Sequence, residues 1–147
     1  PPIPEGRHRR PLFLGMSADD GMDALERTWR CCGWLLVALV IIFSLIPSPP
    51  ALDVRAGDKL QHLFAYALLM GWFAQLHRET RVRLRLAAAF VALGVALEFL
   101  QGLTSWRSYE GYDMAANAVG VLLGYLAAPP RGPDVYHRLR RRFLSRG

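Results

Sequence analysis

The chain is 147 residues long, 52% hydrophobic, and carries a formal net charge of +6. That length allows one domain. A soluble basic domain would point to nucleic acid, but here the charges sit at the ends of apolar runs, which excludes a nucleic-acid binder with a basic face.

Residues 1 to 16 are rich in proline and arginine and read as irregular. Ser17 is a candidate cap for a short helix in which Met22, Leu25 and Trp29 share one face, and this helix should lie along the inner membrane surface. No cleavable signal peptide is expected, because the first apolar run starts some way into the chain and lacks a small-residue cleavage site. The adjacent Cys31 and Cys32 form neither a disulfide framework nor a metal spacing.

Four uncharged runs follow: Cys31 to Ile46, Leu60 to Leu76, Leu86 to Leu97 and Met114 to Ala128. The first, containing GWLLVALVIIFSLIP, has no polar face at any helical period, which a surface helix of a soluble bundle would need. Accepting Glu98 and Gln101 extends the third to Leu103, or about 27 Å at 1.5 Å per residue. The expected fold is therefore an all-α membrane protein of four transmembrane helices with short amphipathic flanking helices. Pro47, Pro49 and Pro50 end the first helix. Pro129, Pro130 and Pro133 precede a tail in which Tyr136, Leu139 and Phe143 share a face among arginines, as in a basic helix lying on anionic headgroups. The expected division is an irregular and amphipathic segment over 1–28, a four-helix membrane domain over 29–128, and a basic cytoplasmic tail over 129–147.

Fifteen arginines lie before the first run, between the second and third, and in the tail, against Arg55, Lys59 and Arg107 on the other side. The positive-inside rule then puts both termini in the cytoplasm.

The polar residues gather at the opposite side. Asp58, His62 and Tyr66 are spaced by four, with Lys59 beside them. Glu98 and Gln101 lie near the end of the third helix, Arg107 in the following loop, and Asp113 and Asn117 at the start of the fourth helix. Gly120 and Gly124 continue that stripe as small packing residues. A carboxylate inside a membrane helix costs on the order of 3 kcal/mol, so Glu98 should find Lys59, His62 or Arg107. Tyr66, Trp29, Trp34 and Trp106 are candidate interfacial anchors.

With D-K-L-Q-H-L-F-A-Y at 58–66, E-F-L-Q at 98–101 and R-S-Y-E-G-Y-D-M-A-A-N-A-V-G-V-L-L-G at 107–124, the chain resembles the VanZ-like family over residues 31 to 128. That family shows Asp-Lys, His and Tyr opening one helix, Glu-x-x-Gln closing the next, then Arg, Asp, Asn and Gly. The N-terminal segment and the arginine tail depart from its pattern. The resemblance implies a bacterial inner-membrane protein of the cell envelope; the family's namesake is associated with teicoplanin resistance by an unsettled mechanism.

Two functions compete at this point. One is binding, or modification, of a lipid or cell-envelope precursor headgroup at the outer leaflet. For chemistry there, Glu98 or His62 is the candidate general base and Lys59 or Arg107 the charge stabiliser. The other is a non-catalytic subunit of a larger membrane complex. Expected partners are membrane lipids, anionic ones through the arginine tail, and other integral membrane subunits; nucleic acid is not expected. No nucleophile elbow, phosphate loop, HExxH or His/Cys metal pattern is present, so no catalytic residue, metal ligand or cofactor is assigned.

Overall fold

The computed structural model describes residues 18–47, 57–105 and 110–145. They form five helices: α1 (Ala18–Leu45), α2 (Gly57–Ala74), α3 (Thr80–Gly102), α4 (Gly111–Ala127) and α5 (Val135–Leu144). The all-helical expectation holds. The amphipathic segment and the first apolar run are one continuous 28-residue helix, α1, because nothing between Trp29 and Trp34 breaks it. Ser17, expected to cap it, lies outside the described residues.

The first four helices run up, down, up, down. Gln101 near the end of α3 donates to the Ser44 carbonyl near the end of α1, so α1 and α3 are parallel. His62 and Asn117 meet near the starts of α2 and α4, so that pair is parallel too.

Four transmembrane helices, expected from the sequence, are not what the described residues support. Two helices are long and apolar enough to cross a membrane, Gly21–Leu45 and Thr80–Gly102. The physical reason is length and polarity. The 17 residues of α4 span about 25 Å, short of a hydrocarbon core of about 30 Å. The 18 residues of α2 open on Asp58 and Lys59 and include Gln61 and His62.

α2 and α4 pack most closely. A Cβ on Gly120 would stand 2.3 Å from the Leu63 carbonyl oxygen, and one on Gly124 would stand 2.3 Å from that of Ala67. Only glycine lets the two backbones approach this far. Tyr66, Leu69, Met70, Phe73, Phe90 and Val121 fill the centre of the bundle.

The far end is closed by α5. Asp134 caps it, accepting from His137 N at 3.2 Å and pairing with Arg78. Gln75 Oε1 accepts from Val135 N at 3.1 Å. Tyr136 is buried edge-on against Trp29, which stacks on Trp72 at 4.1 Å. Each of those indoles also donates to the other's backbone carbonyl. Trp29 is thus a core residue and not an interfacial anchor. Arg83, counted in the sequence as a loop charge, is buried inside α3 and donates to the Pro129 and Tyr125 carbonyls at 2.5 and 2.7 Å. It closes the C-terminal end of α4, where carbonyls lack partners.

Burial alone would raise the pKa of Asp134, but the hydrogen bonds and charge of His137, with Arg78 nearby, outweigh it and hold the carboxyl below its ordinary value. A depressed carboxylate stabilises the fold above its unfolded pKa, and that stability is lost as pH falls through the folded one. Acid below pH 4 should therefore release α5 and change Trp29 fluorescence, and Asp134→Ala should show the released signal already at pH 7. A separate expectation concerns the glycines: Gly124→Leu should lower the melting temperature in detergent sharply. Overpacking typically costs about 1–3 kcal/mol, while Gly21→Ala, which meets nothing within 4 Å, should leave the melting temperature unchanged or slightly raised.

Candidate functional site

The site end of the bundle is where α2 and α4 begin and α1 and α3 finish. Asp58 and Asp113 sit in the first turns of α2 and α4, where the helix dipole favours negative charge. The close approach set by Gly120 and Gly124 draws these two turns together.

Lys59 Nζ donates to Glu110 Oε2 at 2.8 Å and stands 3.4 Å from Asp113 Oδ1. The Glu110 hydrogen bond, with the charge of Asp113, raises the Lys59 pKa above its ordinary value against the effect of burial. His62 Nδ1 donates to Asn117 Oδ1 at 3.0 Å. Its Nε2 lies 3.9 Å from Asp58 Oδ1 and 3.9 Å from Asp113 Oδ2. Asp113 is 4% exposed, and its Oδ1 accepts no hydrogen bond. Burial raises its pKa, His62 and Lys59 lower it, and Asp58 raises it further, for a net shift upward.

Glu98 and Gln101 work differently. Glu98 is 1% exposed and accepts the Glu110 backbone N–H at 2.6 Å, holding the start of α4 onto α3. Gln101, also buried, holds α3 to α1 through its Nε2 contact with Ser44 O at 2.7 Å. Lys59 and His62, expected as partners for Glu98, make contacts with Glu110, Asp113, Asn117 and Asp58. Arg107 and Trp106 lie outside the described residues. Tyr66 is buried and is no interfacial anchor.

Asp58, Lys59, His62, Asp113 and Asn117 are therefore brought together, with Glu98, Gln101 and Tyr66 buttressing them from below. Asp58, His62 and Tyr66 line a cleft of about 110 Å³ between α1 and α2, with Ser44 and Phe43 opposite. The sequence reading missed Glu110, whose place just before the α4 helix was the available signal. It gathered Asp58, His62 and Asp113 at one end of the helices, and the structure adds how near they come. The ligand atoms of these three lie within 4.8 Å of one another, a proximity that spacing along one helix does not reveal.

Glu98→Ala removes a charged acceptor from a buried N–H and should cost about 1.5–3 kcal/mol, whereas Glu98→Gln keeps an oxygen for Glu110 N and should cost less than half of that. Thermal denaturation in detergent distinguishes the two.

No family model matches the chain, and no solved structure does. An uncharacterized protein of the fission yeast Schizosaccharomyces pombe is 30% identical over 95 residues, which is 63% of this chain. The match spans 59% of that protein's length.

Proposed function

We propose that the chain is a membrane protein of the VanZ-like kind that binds the headgroup of a lipid or cell-envelope precursor at its site end. The observation that carries this reading is the convergence of Asp58, Lys59, His62 and Asp113 beside an open cleft. Charged groups held this closely are a costly way to pack helices.

The surroundings support a lipid ligand. Trp34, Leu35, Phe64, Leu68, Phe99 and Leu122 are each more than half exposed. Exposed apolar area on this scale marks a surface that meets lipid or another protein. Most residues of the two span-compatible helices face outward, unlike the core helices of a soluble bundle. On this reading α1 and α3 hold the protein in the cytoplasmic membrane. Arg138, Arg140, Arg141 and Arg142 of α5 rest on anionic headgroups at the membrane surface. The VanZ-like resemblance points to a bacterial membrane, while the yeast relative means that related sequence is not confined to bacteria.

One observation favours a second reading, an accessory subunit of a larger membrane complex. Glu98 and Gln101 each hydrogen-bond a backbone group of a neighbouring segment, as scaffold residues do. The two readings separate through Lys59→Met, which removes the charge and keeps the stem. Under the headgroup reading, saturating native lipid extract raises the melting temperature of wild type by about 5–10 °C, the effect of a ligand near a hundred times its dissociation constant. Lys59→Met then melts like lipid-free wild type and does not respond to lipid. A wild type indifferent to every lipid, beside a Lys59→Met that unfolds, would leave the subunit reading standing.

A further inference from the structure

We propose that Asp58, His62 and Asp113 form a divalent-cation site at the rim of the α1–α2 cleft, with open coordination positions for a phosphate-bearing headgroup. The cation site stands on its own geometry; only the identity of its phosphate ligand rests on the headgroup reading.

The first support is the direction of the histidine. Nδ1 carries its hydrogen toward Asn117 Oδ1. The other ring nitrogen, Nε2, faces two carboxylates at 3.9 Å each, and in the neutral ring it offers its lone pair to a cation placed among them. Three electron-rich atoms converge with no hydrogen bond between them at that distance. A neighbouring group that fixes the second ring nitrogen is also what orients histidines that ligate metals.

The second support is Asp113. Its carboxylate is buried, and Oδ1 accepts no hydrogen bond. The nearest cation, Lys59 at 3.4 Å, gives its hydrogen bond to Glu110. A buried carboxylate whose neighbouring ammonium is shared with Glu110 is only partly compensated, and a bound cation lowers that cost.

The third support is charge. Among the described residues, Asp58, Glu98, Glu110 and Asp113 outnumber Lys59 in this end of the bundle, so a bare phosphate meets like charge from them. A divalent cation reverses the local sign and lets Lys59 assist in holding the anion. The dimensions fit as well. Ligand bonds of about 2.0–2.2 Å place two atoms of one coordination shell at most about 4.4 Å apart. The 3.9 Å separations lie inside that limit, and the 4.8 Å outer bound exceeds it by a few tenths of an ångström, a gap that a small shift of Asp58, the least buried of the three, closes. One imidazole with two carboxylates suits Mn²⁺ or Zn²⁺.

The test uses the purified full chain, stripped of metal, in detergent, titrated with Mn²⁺ alone and followed by electron paramagnetic resonance. One Mn²⁺ should bind per chain and be displaced by Zn²⁺. Asp113→Asn and His62→Gln should weaken binding by at least a hundredfold, and Asn117→Ala by roughly 10–100-fold through loss of the ring's orientation. Should Asp113→Asn fail to fold by circular dichroism, the more exposed Asp58→Asn gives the same readout. Absence of Mn²⁺ and Zn²⁺ binding, or binding unchanged by these substitutions, overturns the proposal; an imidazolium bridging the carboxylates would give the first result. Lipid stabilisation measured with and without EDTA keeps the two readings apart. Stabilisation that persists in EDTA, with no Mn²⁺ bound, sinks the cation site alone. Mn²⁺ binding without any lipid response sinks the headgroup reading alone.

Discussion

The close contact between α2 and α4 is the constraint on which the rest depends. Gly120 and Gly124 lie against the carbonyls of Leu63 and Ala67, and no larger residue fits there. That approach fixes the register of two parallel helices, so the first turn of α2 stands beside the first turn of α4. Asp58, Lys59 and His62 then meet Asp113 and Asn117 without any long-range search by flexible side chains. A wider spacing would leave a buried Asp113 with neither the lysine nor the histidine.

Around this pair, the remaining polar residues act as fasteners. Glu98 holds the start of α4, Gln101 holds the end of α1, and Arg83 closes the end of α4. Each satisfies backbone groups that a helix terminus leaves unpaired. The division of labour follows burial. Groups with backbone partners lie deep in the bundle, while Asp58 and Lys59 keep partial access to solvent. A ligand site and its scaffold thus occupy successive layers of one bundle end.

How much of this was legible in sequence differs by element. The helical character was, because the apolar runs have clear boundaries in proline and charge. The stripe Asp58–His62–Tyr66 was legible from its spacing of four, and so was the glycine stripe of α4. The number of spans was not: an uncharged run shows apolarity, but α2 and α4 fall short in length or carry polar residues at one end. The hydrogen bond from the Glu110 backbone to Glu98 was not legible, because a backbone N–H is invisible to a search for opposite charge. Arg83 was misread for the same reason, its partners being carbonyls at a helix end. Trp29 read as an anchor since its partner Trp72 lies on a different helix, and no local pattern links the two.

The central claim is that the cleft beside Asp58 and His62 receives a headgroup rather than another polypeptide. Photo-crosslinking addresses it most directly, with a diazirine side chain placed at position 61, which lines that cleft, in the full chain within native membranes. Mass spectrometry of the adduct should show a lipid or precursor carrying a phosphate group. Adducts to a second polypeptide, with no lipid attached, would contradict the account.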